Sequence, residues 1–210
     1  MSNLKQAIKQ NYVKCAKDPS YFINEFCVIQ HPQRGKIKFK LYPYQYDVLE
    51  EFETHDYNVV LKSRQLGIST LTAAYSLWLM LFHADKNVLC IATTKDTAKN
   101  LVTKVRIMYE GLPNWLKTAI VENNKLSLIF KNGSQIKAIA SNESAGRSEA
   151  LSLLILDEAA FIDKIDTIWT AAQQTLATGG RCIGISTPNG VGNWFHKTWV
   201  DAKDGVNKFN

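Results

Sequence analysis

The chain is 210 residues long, 46% hydrophobic and 21% charged, an ordinary globular composition that excludes collagenous, mucin-like and disordered classes. Its 25 Lys and Arg against 19 Asp and Glu give a formal charge of +6, which favours polyanionic partners such as nucleic acid and also aids solubility. No stretch reaches the roughly 20 apolar residues of a membrane span, and the polar start Met1-Ser-Asn-Leu-Lys5 lacks a signal peptide's apolar segment. A soluble intracellular protein with no membrane partner is expected.

In chain order, the first 40 residues are the least regular and read as an N-terminal extension, residues 1–40, packing on or beside the main domain, residues 41–210. They hold an aromatic patch (Tyr21, Phe22, Phe26) and a basic stretch from Arg34 to Lys40, which reads as a solvated face or a DNA contact. Leu41-Tyr-Pro-Tyr-Gln-Tyr46 then leads into a short amphipathic helix around Asp47 to Phe52. From Tyr57 onward, short β-rich runs alternate with helical segments, the pattern of an α/β fold with a mostly parallel central sheet flanked by helices.

The run Tyr57–Lys62 precedes a helix striped by Leu71, Tyr75, Trp78, Leu79 and Phe82. Asn87–Thr93 is continuously apolar, as in a strand covered on both faces, and Ala98, Leu101, Val102, Val105, Met108 and Tyr109 stripe the next helix, stopped by Gly111 and Pro113. Leu126–Lys131 and Ser134–Ala140 flank Asn132-Gly133, a hairpin signal that adds two antiparallel strands. Leu151–Leu156 is a further buried strand, Ile165, Ile168, Trp169, Ala172 and Leu176 stripe a helix, and Arg181–Ser186 closes the series. The remaining polar segment carries no predicted element, so the chain reads as the front portion of a longer protein. Cys15, Cys27, Cys90 and Cys182 form no C-x-x-C pair and are expected as reduced core thiols.

Between the first strand and its helix lies Lys62-Ser-Arg-Gln-Leu-Gly-Ile-Ser-Thr70. Unpaired N–H groups and a helix N-terminus in such a turn favour an anion. Against the P-loop pattern G-x-x-x-x-G-K-S/T, Gly67 holds the second glycine and Ser69 the Mg²⁺-binding hydroxyl, while Lys62 replaces the first glycine and Ile68 the lysine. As a nucleotide cradle the loop comprises Lys62, Ser63, Arg64, Gln65, Leu66, Gly67, Ile68, Ser69 and Thr70, with Lys62 reaching back across the phosphates and Arg64 as a second cation. The alternative is a solvated strand-end lysine, a surface arginine and a decayed loop.

Leu153-Leu-Ile-Leu-Asp-Glu158 delivers two carboxylates at a strand's C-terminal end, where α/β sheets place ligands. Asp157 is expected to bind Mg²⁺ opposite Ser69, and Glu158 to polarise the attacking water; a plain pair of exposed carboxylates is the alternative. Ile185-Ser-Thr-Pro-Asn-Gly190 offers Ser186, Thr187 and Asn189 beside the γ-phosphate, or is simply a Pro-Asn-Gly turn. The set describes a P-loop NTPase with an antiparallel hairpin addition.

Taken together, Ser63-Arg-Gln-Leu-Gly67, Leu153-Leu-Ile-Leu-Asp-Glu-Ala-Ala-Phe161 and Ser186-Thr-Pro-Asn-Gly190 resemble the ATPase domain of the large terminase subunit of tailed bacteriophages, over about Leu41 to Ala202. The resemblance implies an Mg²⁺-dependent ATPase that translocates double-stranded DNA into a preformed capsid. It further implies a ring of subunits docked on the portal protein, the small terminase subunit as a partner, and the cytoplasm of an infected bacterium as location. It assigns Gln45, with Tyr44, to adenine contact, Arg64 to the loop arginine of catalysis, and Ser186, Thr187 and Asn189 to coupling. Arg147, in Ser144-Ala-Gly-Arg-Ser148, is assigned to an arginine finger entering a neighbouring subunit's site. Family proteins usually continue into a ribonuclease-H-type nuclease domain; no acidic metal cluster for one follows the motor, so no nuclease activity is expected. The competing readings are a helicase-like DNA translocase and a nucleotide-independent DNA-binding or assembly module with a degenerate loop.

Overall fold

The computed structural model describes residues 2–141 and 150–210. The elements are α1 (Ser2–Lys17), α2 (Pro19–Phe26), β1 (Val28–His31), β2 (Gly35–Lys38), α3 (Pro43–Thr54), β3 (Tyr57–Leu61), α4 (Ile68–Phe82), β4 (Asn87–Ala92), α5 (Lys95–Gly111), β5 (Ile120–Asn123), β6 (Ser127–Phe130), β7 (Gln135–Ala140), β8 (Leu153–Asp157), α6 (Ile165–Leu176), β9 (Arg181–Ser186) and α7 (Trp194–Lys203). Seven strands form one sheet in the order β3-β9-β8-β4-β7-β6-β5. The pairs from β3 through β7 are parallel, and β6 and β5 extend the sheet antiparallel.

The continuous apolar runs of β4, β8 and β9 follow from helices on both faces of the sheet. Successive side chains alternate sides: Val88, Cys90 and Ala92 enter one core with α4 and α5, whereas Leu89 and Ile91 enter a second core with α6. Helix α4 runs through the larger core, and every residue from Ile68 to Leu81 except Ser69 and Thr70 is buried, so it is apolar all round rather than striped. Helix starts are set locally. Asp18 accepts the N–H of Tyr21 at 3.0 Å before α2, and Thr94 accepts that of Thr97 at 3.2 Å before α5.

Three expectations need correction. The first 40 residues are regular: two helices and the β1–β2 hairpin put Cys15, Phe22, Ile23, Cys27 and Phe39 into the same core as α4, and Trp78 donates its indole N–H to the Cys15 carbonyl at 2.7 Å. The hairpin lies so close to α5 that a Cβ on Gly111 would fall 2.3 Å from Val28 Cγ2. The basic stretch is tied down beside it, with Lys36 reaching Glu110 at 3.4 Å and Lys40 reaching Glu25 at 3.5 Å. Second, the Asn132-Gly133 hairpin carries a third antiparallel strand, β5. Third, the polar end contains α7, capped by Asn193, which accepts the His196 N–H at 3.0 Å. No described helix is long and apolar enough to cross a membrane.

Candidate functional site

Parallel pairing brings three distant segments to one edge. Leu61 pairs with Ser186 and Asp157 with Ile185, so β3, β8 and β9 end side by side, and the Lys62 N–H donates to the Ser186 carbonyl at 2.9 Å. The chain then turns through Gln65 (φ 65°) and Gly67 (φ 72°) into α4. Left-handed backbone suits Gly67, and a Cβ there would also sit 2.9 Å from Gln45 Nε2. The resulting cavity, about 310 Å³, is lined by Lys62, Gln65, Leu66, Gly67, Ile68, Ser69, Thr70 and Lys104. The first turn of α4 faces it with unpaired N–H donors and the positive end of the helix dipole.

Gln45 supports the loop from behind. It is 1% exposed; its Oε1 accepts the Tyr42 N–H at 3.1 Å, and its Nε2 donates to the Leu66 carbonyl at 3.1 Å. The Tyr44 hydroxyl donates to the same carbonyl at 2.7 Å. Both ends of the Gln45 amide are thus occupied by backbone. Ser63 and Arg64 are exposed and do not line the cavity. Ile68 is 3% exposed and belongs to the larger core, so the position that ordinarily carries the loop lysine points into apolar packing.

The two carboxylates part at the end of β8, where Asp157 is the last strand residue and Glu158 already lies in the turn that follows. Asp157 is 6% exposed and accepts the Ser69 hydroxyl at 3.1 Å. Burial pushes its carboxyl up from the ordinary value, against the pull of Lys104 and then of Ser69. Glu158 sits in the left-handed region (φ 54°, ψ 50°), a backbone state that costs a non-glycine residue roughly 1–3 kcal/mol where it is imposed. That turn aims its side chain at Lys62, whose Nζ lies 2.6 Å from Oε1. The other oxygen accepts the Thr187 N–H and the Thr187 hydroxyl, each at 3.0 Å. Burial alone would raise the Glu158 carboxyl, but Lys62 and the two Thr187 donors outweigh it and hold it below the usual glutamate range.

Ser186, fully buried, accepts the Ala160 N–H at 3.0 Å and donates to the Thr187 carbonyl at 2.8 Å, fixing the turn that aims Thr187. Asn189 turns the other way, donating to the Ala160 carbonyl at 3.0 Å and lining a separate small pocket with Leu61, Phe195 and Trp199. Arg147 lies outside the described residues. A larger cavity, about 490 Å³, opens at the opposite end of the sheet beside Glu53, His83, Lys86, Ser152 and Arg181 and contains no residue of the loop or of the carboxylate pair.

Ser69 and Asp157 offer two hard oxygen donors, and among the described residues no group of three His, Cys, Asp or Glu is placed to hold a metal. A hydroxyl and a buried carboxylate fit Mg²⁺, which keeps several waters and takes its other ligands from phosphate. Sequence reasoning missed Lys104, which α5 brings to the cavity from beyond the loop.

A glycine loop between strand and helix, faced by a carboxylate pair from a neighbouring parallel strand, defines the P-loop NTPase class. Residues 59–207 match the family described as terminase large subunit, T4likevirus-type, N-terminal, and the chain belongs to that family. The protein gp28 of the Mu-like prophage FluMu of Haemophilus influenzae is 22% identical over 169 residues, 75% of this chain; the chain spans only 33% of that relative's length. The large terminase ATPase domain of Thermus phage P74-26 superposes with a TM-score of 0.61 at 24% identity, covering 76% of this chain and 69% of that one. The large terminase of bacteriophage HK97 superposes with a TM-score of 0.70 at 19% identity, covering 92% of this chain and 42% of that one. At these identities the structural likeness establishes a common fold.

Proposed function

We propose that the chain is the ATP-hydrolysing motor domain of a terminase, binding ATP with Mg²⁺ and driving double-stranded DNA into a procapsid. The observation that carries the reading is the shared grip on Glu158, with Lys62 from the loop on one oxygen and Thr187 from the neighbouring strand end on the other. In this reading an incoming triphosphate competes for the Lys62 ammonium, because phosphate oxygens are strong acceptors for a lysine point charge. Glu158, released on that side and still held by Thr187, accepts a proton from the attacking water. Thr187 lies on the segment leading to α7, so the change at Glu158 is passed to backbone outside the site. Mg²⁺, when bound at Ser69 and Asp157, neutralises charge on the phosphates.

The remaining parts of the proposal rest on family membership and the sequence pattern. They are adenine contact near Tyr44 and Gln45, catalytic help from Arg64, an Arg147 finger in trans, a ring on the portal with the small terminase subunit, and location in the cytoplasm of an infected bacterium. Calorimetric titration with ATP, with and without Mg²⁺, together with phosphate release in the presence of double-stranded DNA, tests the core claim. Binding that strengthens with Mg²⁺ and turnover that rises with DNA are expected. If ATP fails to bind at millimolar concentration, the degenerate-loop reading replaces this one.

A further inference from the structure

The charges around the cavity do not balance without a residue outside the loop. Asp157 and Glu158 contribute two negative charges and Lys62 one positive charge already paired with Glu158, so the site is negative by one before a triphosphate arrives. Ile68 adds no charge and is packed into the core. The opposite wall is α5, and its Lys104 lines the same cavity as Lys62, Gly67, Ser69 and Thr70. Lys104 also lines an adjoining slot with Val28, Ile29, Thr70, Ile107 and Met108, where an apolar stem can lie while its ammonium stays at the polar mouth. The side chain is half-buried and makes no hydrogen bond or ion pair among the described residues.

We propose that Lys104 is a second phosphate-binding cation of this site, supplied from α5 where the loop carries Ile68, and that it holds non-bridging oxygens of the bound triphosphate. The inference rests on the nucleotide reading above and adds a residue to it. A flexible four-carbon stem ending in a compact point charge suits this task, because the ammonium can follow the phosphates without a fixed fork geometry. Val28 and Ile29, which line the same slot, belong to the N-terminal hairpin, so residues 1–40 form part of its wall.

The test is ATP affinity by calorimetry, measured across a range of salt concentrations, for the parent, Lys104→Met and Lys104→Arg, with Lys104→Gln as the replacement should the methionine chain not fold. Lys104→Met is expected to weaken ATP binding tenfold or more and to make affinity less dependent on salt, since one cationic contact has gone; Lys104→Arg should recover most of both. Affinity within twofold of the parent overturns the proposal. So does a loss of affinity with unchanged salt dependence, which would mean that Lys104 only supports Asp157. A parent chain that binds no ATP sinks the nucleotide reading and this assignment together, whereas a parent that binds and a Lys104→Met chain that binds equally sinks this assignment alone.

Discussion

The Ser69 hydroxyl donates to Asp157 Oδ1 at 3.1 Å, joining the first turn of α4 to the end of β8 across 88 residues of chain. The carboxylate so held is almost fully buried, and burial keeps its pKa above the ordinary value. A group whose folded pKa is raised is held in its charged form at a cost to stability near neutral pH. Asp157→Asn keeps an acceptor for Ser69 and removes the charge, so the nucleotide-free protein is expected to melt higher. For a domain of this size each kcal/mol relieved raises Tm by about 2–4 °C. The same substitution should abolish the strengthening of ATP binding by Mg²⁺. A melting temperature that falls would remove the argument from desolvation.

Glu158 has the opposite sign. Lys62 and Thr187 hold its carboxyl below the usual glutamate range, so the pairing contributes stability above that range and loses it as pH falls through the depressed value. Glu158→Gln should therefore lower the Tm of the nucleotide-free protein at neutral pH and flatten the acid limb of its pH–stability curve. It leaves the Lys62 ammonium, 9% exposed as a side chain, without its anion. Turnover should drop by about 10²–10⁴, the usual contribution of a positioned general base, while ATP affinity holds or tightens because Lys62 is freed for phosphate. Phosphate release at the parental rate would take the base role away from Glu158.

The four thiols give a prediction free of any functional assumption. Cys15, Cys27, Cys90 and Cys182 are all fully buried, and burial raises each of them, Cys15 to about 12. Thiolate is the reactive form, so an aromatic disulfide reagent at pH 8 should label none of them in native protein and all four after denaturation. Rapid labelling of Cys15 alone would show that α1 and α2 leave the core on that timescale.

What was legible in the sequence was whatever is enforced locally. Leu153–Leu156 reads as a buried strand because both faces are covered, and Asp157 and Glu158 fall at its end for the same reason that strands in parallel sheets stop at a ligand edge. The β5 strand was not legible: Ile120 is half-buried and the next three residues are exposed, so no alternation exists to be seen. Helix α7 hides in a polar run whose apolar residues Trp194, Phe195 and Trp199 are interrupted by His196, Lys197 and Asp201, although Asn193 announces its cap. The N-terminal helices were obscured by α1, which shows solvent mostly polar residues and buries Cys15 through tertiary contact alone. Lys104 has no local signature at all. It becomes part of the site only because α5 packs on α4 beside the loop, a relation that no spacing within α5 encodes.

Gln45 and Gly67 make the last prediction, because the two are fitted to one another. Gln45 Nε2 reaches the Leu66 carbonyl at 3.1 Å and would be 2.9 Å from a Cβ at position 67. Gly67→Ala therefore meets two penalties: left-handed backbone at φ 72°, worth roughly 1–2 kcal/mol for a residue with a Cβ, and displacement of an amide that is 1% exposed. Moving that amide leaves the Tyr42 N–H and part of the Leu66 carbonyl unsatisfied, each worth about 1–3 kcal/mol where water cannot replace the partner. Gly67→Ala should lower Tm and weaken ATP binding together. Gln45→Ala, which creates space beside Gly67 but deletes both hydrogen bonds, should lower Tm without the backbone penalty. In the double variant the two losses should sum to less than their separate values, because the alanine Cβ no longer meets the amide. Strict additivity of the melting shifts would show that the loop and Gln45 are not mechanically joined, and would leave the Gln45 amide available for another role at the site.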